Sequence, residues 1–337
     1  MKKGAIIGAG FWANFQLPAW QEIPEVQIVA VCDKDIEKAN AIANKFNIAN
    51  AYSDFQTMLE SEALDFVDII TSIETHAALT ALVAQKGIPV ICQKPMAQNI
   101  EQAAGMLEAC AKAQVPLFIH ENFRWQKPIR QLKKLLDIGA IGRPFKARVS
   151  FLSAFPVFDN QPILAELPRF ILTDIGSHIL DICRYLFGEA HSVYCITSRV
   201  NKKIQGEDVA TVLMDMKSGL HCLAEMSYAT LLEKETFPQT LVLVEGEKGS
   251  VYLTADYQLK LTTLHGTQII EAKPPEFIWA DPKYALVHSS IVDCNRNILE
   301  GLMGGTVETT GKDNFNTLQL VWAAYHSADS NQVIIIN

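Results

Sequence analysis

The chain has 337 residues, enough for two domains, and its formal net charge of −8 argues against a nucleic-acid-binding surface, which needs a basic patch. Its hydrophobic content of 49% is typical of a globular protein, and no stretch reaches the apolar length of a membrane span. Seven cysteines without a C-x-x-C pair predict reduced thiols rather than a disulfide framework. We therefore expect a cytoplasmic protein with neither nucleic acid nor membrane as a partner.

A glycine-rich turn follows the first predicted strand, residues 5–7. Gly8 permits a tight turn, Gly10 lets the backbone approach a pyrophosphate, and Ala13 lets the next helix lie close to the strand. The free N–H groups and the dipole at that helix start favour phosphate. Because the glycines interrupt the N-terminal apolar run, we interpret it as a core strand and not as a signal peptide.

A carboxylate at the end of the second predicted strand, 26–33, favours a dinucleotide site. Asp33 lies 25 residues after Gly8 (33 − 8), close to the spacing at which an acid binds the adenosine ribose. Its charge repels a 2′-phosphate and so predicts NAD, whereas the neighbouring Lys34 weakens that preference and keeps NADP as an alternative. The structural alternative is a ligand-free strand–turn–helix in which Asp33 caps the next helix.

Strands and helices alternate over the first 120 residues or so. Further strands are predicted at 66–70, 89–92 and 115–120, and helices at 35–46, 75–86 and 99–113. Pro18 is expected to break or kink the first helix after Leu17. This alternation indicates an α/β fold, a Rossmann domain over 1–122 with a doubly wound parallel sheet, and places the ligand at the C-terminal ends of its strands.

The pattern changes after residue 122. A helix is predicted at 126–138, and strands at 145–153, 192–198, 208–216, 221–228, 239–245, 250–255, 258–263 and 267–272. Short polar or glycine turns between several of them indicate a large, mostly antiparallel sheet. We therefore predict a C-terminal α+β domain over 123–337, whose last helix, about 313–328, packs back. The open face of the sheet is a candidate surface for a homodimer or homotetramer.

Three polar segments stand after predicted strands or open a helix. They are Thr71-Ser72 with His76, Gln93-Lys94-Pro95, and Asp174-x-Gly176-x-His178-x-x-Asp181. Together with the glycine turn, Asp33, residues 121–124 and the closing segment 310–328, they resemble the Gfo/Idh/MocA family of oxidoreductases, and they follow the family's order along nearly the whole chain. The resemblance implies an NAD(P)-dependent dehydrogenase acting on a secondary hydroxyl of a sugar, sugar acid or inositol. It also implies that Lys94 is the active-site lysine and that Asp174 and His178 are a catalytic pair.

The chemistry of an alcohol oxidation agrees with these roles. The reaction needs a base for the hydroxyl proton, a donor for the oxygen and an acceptor for the hydride. His178 fits the base, and Asp174, four residues earlier, would share its helical face and orient it. Lys94 can hydrogen-bond the reacting oxygen. We predict no metal site, because Asp174, His178 and Asp181 lack further ligands.

The remaining expected contacts surround these three residues. For the cofactor they are Gly8, Gly10, Phe11, Trp12, Asp33, Lys34, Thr71, Ser72, His76, Gln93, Lys94 and Asn122; for a small polyhydroxylated substrate they are Lys94, Asn122, Arg124, Trp125, Asp174 and His178. His76 has helix capping as an alternative role. The loop 155–162 is either a lid or partner contact, or a solvent loop with buried phenylalanines.

Two departures from the family pattern bear on function. Gln93 stands where glutamate is common, and we hypothesise that Lys94 loses its proton more readily beside an amide. The bulky segment 167–173 replaces a glycine run and reshapes the substrate pocket. Two other functions stay open: a non-catalytic sensor that binds a dinucleotide or sugar, and a lyase or epimerase-type enzyme with recycled NAD.

Overall fold

The computed structural model describes residues 1–238 and 240–336. Gln239, the first residue of the predicted strand 239–245, and Asn337, the last residue of the predicted second domain, lie outside the described residues. The chain forms two compact units, one of residues 1–122 with 291–318 and the other of residues 123–290 with 319–337. The domain limits expected from the sequence, 1–122 and 123–337, remain a prediction.

The first unit is built on a parallel sheet with helices between its strands. The elements are β1 Lys2–Ile7, α1 Ala13–Gln21, β2 Val26–Cys32, α2 Ile36–Phe46, β3 Asn50–Tyr52, α3 Phe55–Ser61, β4 Phe66–Ile69, α4 Ile73–Gln85, β5 Val90–Gln93, α5 Ile100–Ala113 and β6 Leu117–His120. The strand order is β3-β2-β1-β4-β5-β6, and every described pair is parallel. This order confirms the predicted doubly wound Rossmann sheet. Successive strands are added on one side of β1 up to β3 and on its other side from β4 onwards, so the topological switch point lies between β1 and β4.

Short polar side chains cap the N-termini of three helices of this unit. Asp35, Asp54 and Asn99 each accept a hydrogen bond from a backbone N–H of the first turn, at the starts of α2, α3 and α5. Each bond satisfies a donor that has no partner inside the helix. Asp35, and not Asp33, is therefore the residue that caps α2.

The expectation that Pro18 breaks the first helix after Leu17 is wrong, because α1 continues to Gln21, and the alternative of a kink at Pro18 stays a prediction. Proline costs about 3 kcal/mol in a helix interior, since it removes one hydrogen bond and crowds the preceding turn. Here the turn beyond it is anchored: Trp20 is fully buried and its indole N–H donates to Asp68 Oδ2 at 2.8 Å. Tertiary packing thus overrides the local penalty.

The second unit contains the large sheet. Its elements are α6 Lys127–Asp137, β7 Pro144–Leu152, α7 Val157–Asn160, α8 Ser177–Phe187, β8 Ala190–Ser198, β9 Val209–Met216, β10 His221–Ser227, β11 Thr240–Gly246, β12 Gly249–Leu253, β13 Gln258–Thr263, β14 Gly266–Glu271 and β15 Ile334–Ile335; α9 Ala285–Leu302 and α10 Gly311–Ser330 each begin in one unit and end in the other. The order of the nine strands is β14-β13-β12-β11-β7-β10-β9-β8-β15. Among the described strands of this nine-stranded sheet, only β7 and β10 pair in parallel, which confirms a mostly antiparallel sheet.

One face of this sheet carries the core. Along β9 the residues Ala210, Val212 and Met214 are buried, whereas Leu213 between them is 50% exposed. The buried face belongs to one hydrophobic cluster with α8 and with the end of α10, residues 320–325. The alternation predicted from the sequence is therefore present, and it leaves the other face of the sheet open.

The elements that the sequence did not predict include β3, α7, β15 and the long helix α9. The strands have three and two residues, too few for a periodic pattern. In α9 the buried positions include His288, Ser290 and Asn295. Because these polar residues interrupt the apolar periodicity from which a helix is predicted, the sequence pattern did not indicate this helix. No helix in the described part of the chain is both long and apolar enough to span a bilayer.

Candidate active site

The glycine turn between β1 and α1 has the geometry of a phosphate-binding loop. Gly8 has a φ of +117°, and a Cβ there would lie 3.0 Å from the carbonyl group of Ile70, so the position requires glycine. At Gly10 an added Cβ would meet nothing within 4 Å, and the residue is exposed. The backbone at Gly10 is therefore open to a ligand, as a pyrophosphate site demands.

Asp33 lies at this turn. Its Oδ2 accepts from the backbone N–H of Ala9 at 2.8 Å, and its Oδ1 accepts from the N–H of Asp35 at 3.0 Å. A carboxylate offers about four lone-pair sites, so these two bonds leave capacity for ribose hydroxyls. The buried indole N–H of Trp12 has no hydrogen-bond partner among the described residues, and such a donor calls for an acceptor from outside the chain. The residues present thus fit a dinucleotide.

His76 joins the ends of two neighbouring strands. Its Nε2 lies 3.1 Å from the carbonyl oxygen of Thr71, which follows β4, and its Nδ1 lies 3.0 Å from that of Pro95, which follows β5. Burial lowers the pKa of His76, so the ring is neutral at pH 7 and its single N–H donates to one of these oxygens. The ring therefore connects the segment that follows β4 to the segment that follows β5, which contains Lys94.

Gln93 belongs to a buried polar network that the sequence did not reveal. Its amide lies 3.5 Å from Gln16 Oε1, and Gln16 Nε2 in turn donates to Asp68 Oδ2 at 2.7 Å. Asn295 accepts from Gln16 at 3.3 Å and lies 2.9 Å from His120 Nε2. A carboxylate at position 93 would add negative charge to a network that already buries Asp68, which gives a physical reason for the amide.

Asp174 and His178, from the third polar segment, lie in the turn that precedes α8 and in the first turn of α8. Residues Leu172–Gly176 form one π-helical turn and α8 continues from Ser177. His178 is buried and its ring stacks on Phe123, with centroids 3.6 Å apart and planes 5° apart. Asp174 Oδ2 accepts from the Tyr228 hydroxyl at 3.2 Å. Single π-turns are frequent at functional sites.

Arg124 is held by a buried ion pair. Its guanidinium donates to both carboxylate oxygens of Asp181 at 2.7 and 2.6 Å, and neither residue is more than 4% exposed. The pair ties the short 3-10 turn Phe123–Trp125 to α8. The guanidinium of Arg130 lies over the Trp125 ring at 4.3 Å, and Asn122 is buried. The predicted substrate contacts of Asn122, Arg124 and Trp125 stay predictions.

A cavity of about 790 Å³ opens within the second unit, a size that suits a small ligand. Phe155, the first residue of the predicted loop 155–162, lines it and stacks on Phe237 with centroids 4.1 Å apart. Tyr284 and Glu235 also line the cavity. The described residues contain no group of three or more His, Cys, Asp or Glu side chains placed to hold a metal ion.

Sequence reasoning missed hydrogen bonds between distant residues in and around the candidate site. Tyr228 is 54 positions from Asp174, and Asn295 is 279 positions from Gln16. No local motif links such residues, and the only signal was that Tyr228 is the last residue of the predicted strand 221–228. The structure brings Tyr228 to Asp174 and leaves the roles predicted for the site residues as proposals.

Comparison with known proteins identifies the family. The oxidoreductase family with an NAD-binding Rossmann fold, GFO/IDH/MocA, matches residues 2–121, and the GFO/IDH/MocA C-terminal domain matches residues 129–252. The chain belongs to this family. The match confirms the predicted family, and this member of it is an NAD-dependent dehydrogenase.

Relatives that match nearly the whole chain support the same assignment. The chain is similar to a D-apiose dehydrogenase of Paraburkholderia graminis (46% identical, covering 98% of this chain and 89% of the relative) and to one of Rhizobium rhizogenes (41%, 99% and 97%). A solved oxidoreductase from Agrobacterium radiobacter, in complex with NAD+, L-tartaric acid and magnesium, is 40% identical with a TM-score of 0.97, covering 99% of this chain and 98% of that one. NAD is thus confirmed as the cofactor.

Proposed function

We propose that this dehydrogenase oxidises D-apiose, or a sugar of similar size, at a secondary hydroxyl. The observation that carries the proposal is the 46% identity to a D-apiose dehydrogenase over 98% of the chain. A sugar acid and an inositol are the other substrates expected from the sequence. The segment 167–173 is bulky where the family pattern has a glycine run, and this difference would give the substrate pocket its own shape.

The proposed roles follow from the chemistry of the side chains. Bound NAD supplies the acceptor for the hydride that leaves the hydroxyl carbon. His178 Nε2 or Nδ1 takes the hydroxyl proton, and the Asp174 carboxylate orients the ring and stabilises the imidazolium that forms. The Lys94 ammonium donates to the substrate oxygen and steadies its charge. Stacking on Phe123 at 3.6 Å restricts how the His178 ring can turn, which supports a fixed proton acceptor.

The cofactor contacts proposed for this chain are those predicted from the sequence. Gly8 and Gly10 would hold the pyrophosphate, and Asp33 the ribose hydroxyls. Trp12 would donate its buried N–H to the cofactor, because that N–H has no acceptor among the described residues. Phe11, which is 44% exposed and whose ring lies 5.2 Å from that of Phe15, would contact the cofactor from the same turn.

Self-association of the chain is also part of the proposal. A homodimer or homotetramer would form through the open face of the nine-stranded sheet, where Ile196, Leu213 and Tyr252 are exposed. Apolar side chains of this kind on a sheet face support an interface between copies. A cytoplasmic location, predicted from the cysteines, stays a prediction.

The decisive experiment measures NADH formation with D-apiose and NAD. We expect turnover with D-apiose and less with inositols. Lys94→Ala and His178→Ala should each lower kcat by about two to four orders of magnitude, the usual effect of removing a positioned acid or base, and should leave NADH binding, measured by fluorescence titration, largely intact. His265→Ala, at an exposed turn, is the matched control and should keep full activity.

The outcome also separates the two rival functions. A sensor would bind NADH or the sugar and show no turnover with any substrate in the panel. An epimerase or lyase with recycled NAD would convert the sugar without net NADH release and would purify with tightly bound cofactor. Full activity of both alanine variants would refute the assigned roles.

A further inference from the structure

Tyr228 makes a hydrogen bond that no motif predicts. It follows β10, and its hydroxyl donates to Asp174 Oδ2 at 3.2 Å. The phenol ring stacks on Phe170, with centroids 5.5 Å apart and planes 16° apart, and meets Phe151 edge-on at 5.3 Å. Desolvation and the negative charge of Asp174 raise the pKa of Tyr228, so the phenol keeps its proton and remains a donor.

The backbone around Asp174 is fixed by a separate set of contacts. Glu207 Oε1 accepts from the N–H groups of Phe170 at 3.1 Å and Leu172 at 3.4 Å, and from the Tyr325 hydroxyl at 2.9 Å. The Tyr325 oxygen in turn accepts from the N–H of Thr173 at 3.1 Å. Glu207 and Tyr325 therefore hold the main chain of the π-turn, whereas Tyr228 contacts the carboxylate itself.

We propose that Tyr228 is a positioning residue, which fixes the rotamer of the Asp174 carboxylate and tempers its negative charge. This inference rests on the proposed role of Asp174 and His178 as a catalytic pair. The phenol does not exchange a proton in the reaction; it acts through Asp174. A carboxylate that already accepts one hydrogen bond attracts the imidazolium proton less strongly, so that His178 regenerates its neutral form at lower pH.

The test compares Tyr228→Phe with Tyr194→Phe. Tyr194 also hydrogen-bonds through its hydroxyl, to Asn331, but it lies at the surface and outside the site. Because a hydrogen bond to a charged group is worth up to a few kcal/mol, Tyr228→Phe should lower kcat by roughly tenfold. The acidic limb of the kcat/KM profile for sugar oxidation should move to higher pH, since His178 then holds its proton more tightly. NADH affinity should not change, and Tyr194→Phe should match the wild type throughout.

A double-mutant cycle separates positioning from simple loss of stability. In the Asp174→Asn background Tyr228→Phe should have little further effect on kcat, because the charge that it tempers is gone. Equal effects in both backgrounds, or an unmoved pH limb, would overturn the inference even if Tyr228→Phe lowers Tm. Full activity of Asp174→Asn itself would instead refute the proposed function on which the inference rests.

Discussion

At the scale of single residues, Asp68 is a carboxyl group with an unusual environment. It lies on β4, is fully buried, and accepts hydrogen bonds from Gln16 at 2.7 Å and Trp20 at 2.8 Å, both on its Oδ2. Its Oδ1 has no partner among the described residues. Burial outweighs these bonds and raises the pKa of Asp68 to about 6. A carboxyl of this kind makes stability depend on pH.

The first prediction concerns Asp68→Asn. The folded pKa of about 6 lies above that of an unfolded Asp, so the folded state binds more protons between about pH 4 and pH 6. The free energy of unfolding of the wild type therefore falls as pH rises through that window, by about 3 kcal/mol in all. Asp68→Asn removes this term. Urea unfolding at several pH values should show the wild type losing stability relative to the variant as pH rises.

The control is a carboxylate with the opposite shift. Hydrogen bonds from Thr57 lower the pKa of Asp54, the cap of α3. The stability that Asp54 contributes is present above its unfolded pKa and is lost as pH falls, so Asp54→Asn should change the pH profile in the opposite sense. A stability difference between wild type and Asp68→Asn that is constant from pH 4 to pH 7 would contradict the first prediction.

At the scale of elements, the start of the helix that carries Asp174 and His178 depends on a close contact between two segments. Gly206 lies beside residues 167–170: a Cβ on it would stand 2.7 Å from the carbonyl oxygen of Leu167 and 2.9 Å from the N of Phe170. The next residue, Glu207, accepts from that same N–H. Only glycine lets the Glu207 carboxylate approach the π-turn this closely.

The second prediction follows from this contact. Gly206→Ala forces the two segments apart and should lower the free energy of unfolding by about 1–3 kcal/mol, the usual cost of overpacking. It should also lower turnover, because the π-turn that bears Asp174 shifts. Chemical denaturation and steady-state kinetics measure both effects.

Gly105→Ala is the matched control. Gly105 lies inside α5, and an added Cβ would meet nothing within 4 Å. Alanine should therefore stabilise the protein by up to about 1 kcal/mol through helix propensity and leave turnover alone. If Gly206→Ala behaves like Gly105→Ala, then the tight contact is not needed.

For the whole molecule, the seven cysteines report on global unfolding. All seven are buried. Burial raises the pKa of Cys32 and Cys110 to about 11 and that of Cys195 to about 12, so these three thiols stay protonated at pH 7. Cys183 and Cys222 lie 3.6 Å apart between their sulfur atoms. A thiol reagent thus reaches these side chains only when the fold opens.

The third prediction is that a chromogenic disulfide reagent reacts slowly with the folded protein and titrates seven thiols after denaturation. Saturating NAD should slow the reaction further, since a ligand at about a hundredfold its Kd adds about 2.7 kcal/mol to stability. NADP at the same concentration should protect less, because Asp33 repels a 2′-phosphate. Rapid modification of several thiols in the folded state, or equal protection by the two cofactors, would contradict it.

The sequence by itself determined the fold class and the family, and it favoured NAD over NADP as the cofactor. Apolar runs of strand length, alternating with amphipathic helices, suffice for a parallel sheet, and alternation with a period of two suffices for a half-exposed one. The glycine turn and Asp33 are local signals as well, since the chemistry that they serve lies within one βαβ unit.

The tertiary structure alone decided the rest. The continuation of α1 through Pro18, the helix α9 with its buried polar residues, and the hydrogen bonds of Asp68 and Tyr228 all depend on partners far away in the chain. A hydrogen bond carries no periodic signal, because its two ends meet only after the sheets have formed. The candidate residues could therefore be identified from the sequence, whereas the contacts that orient them could not.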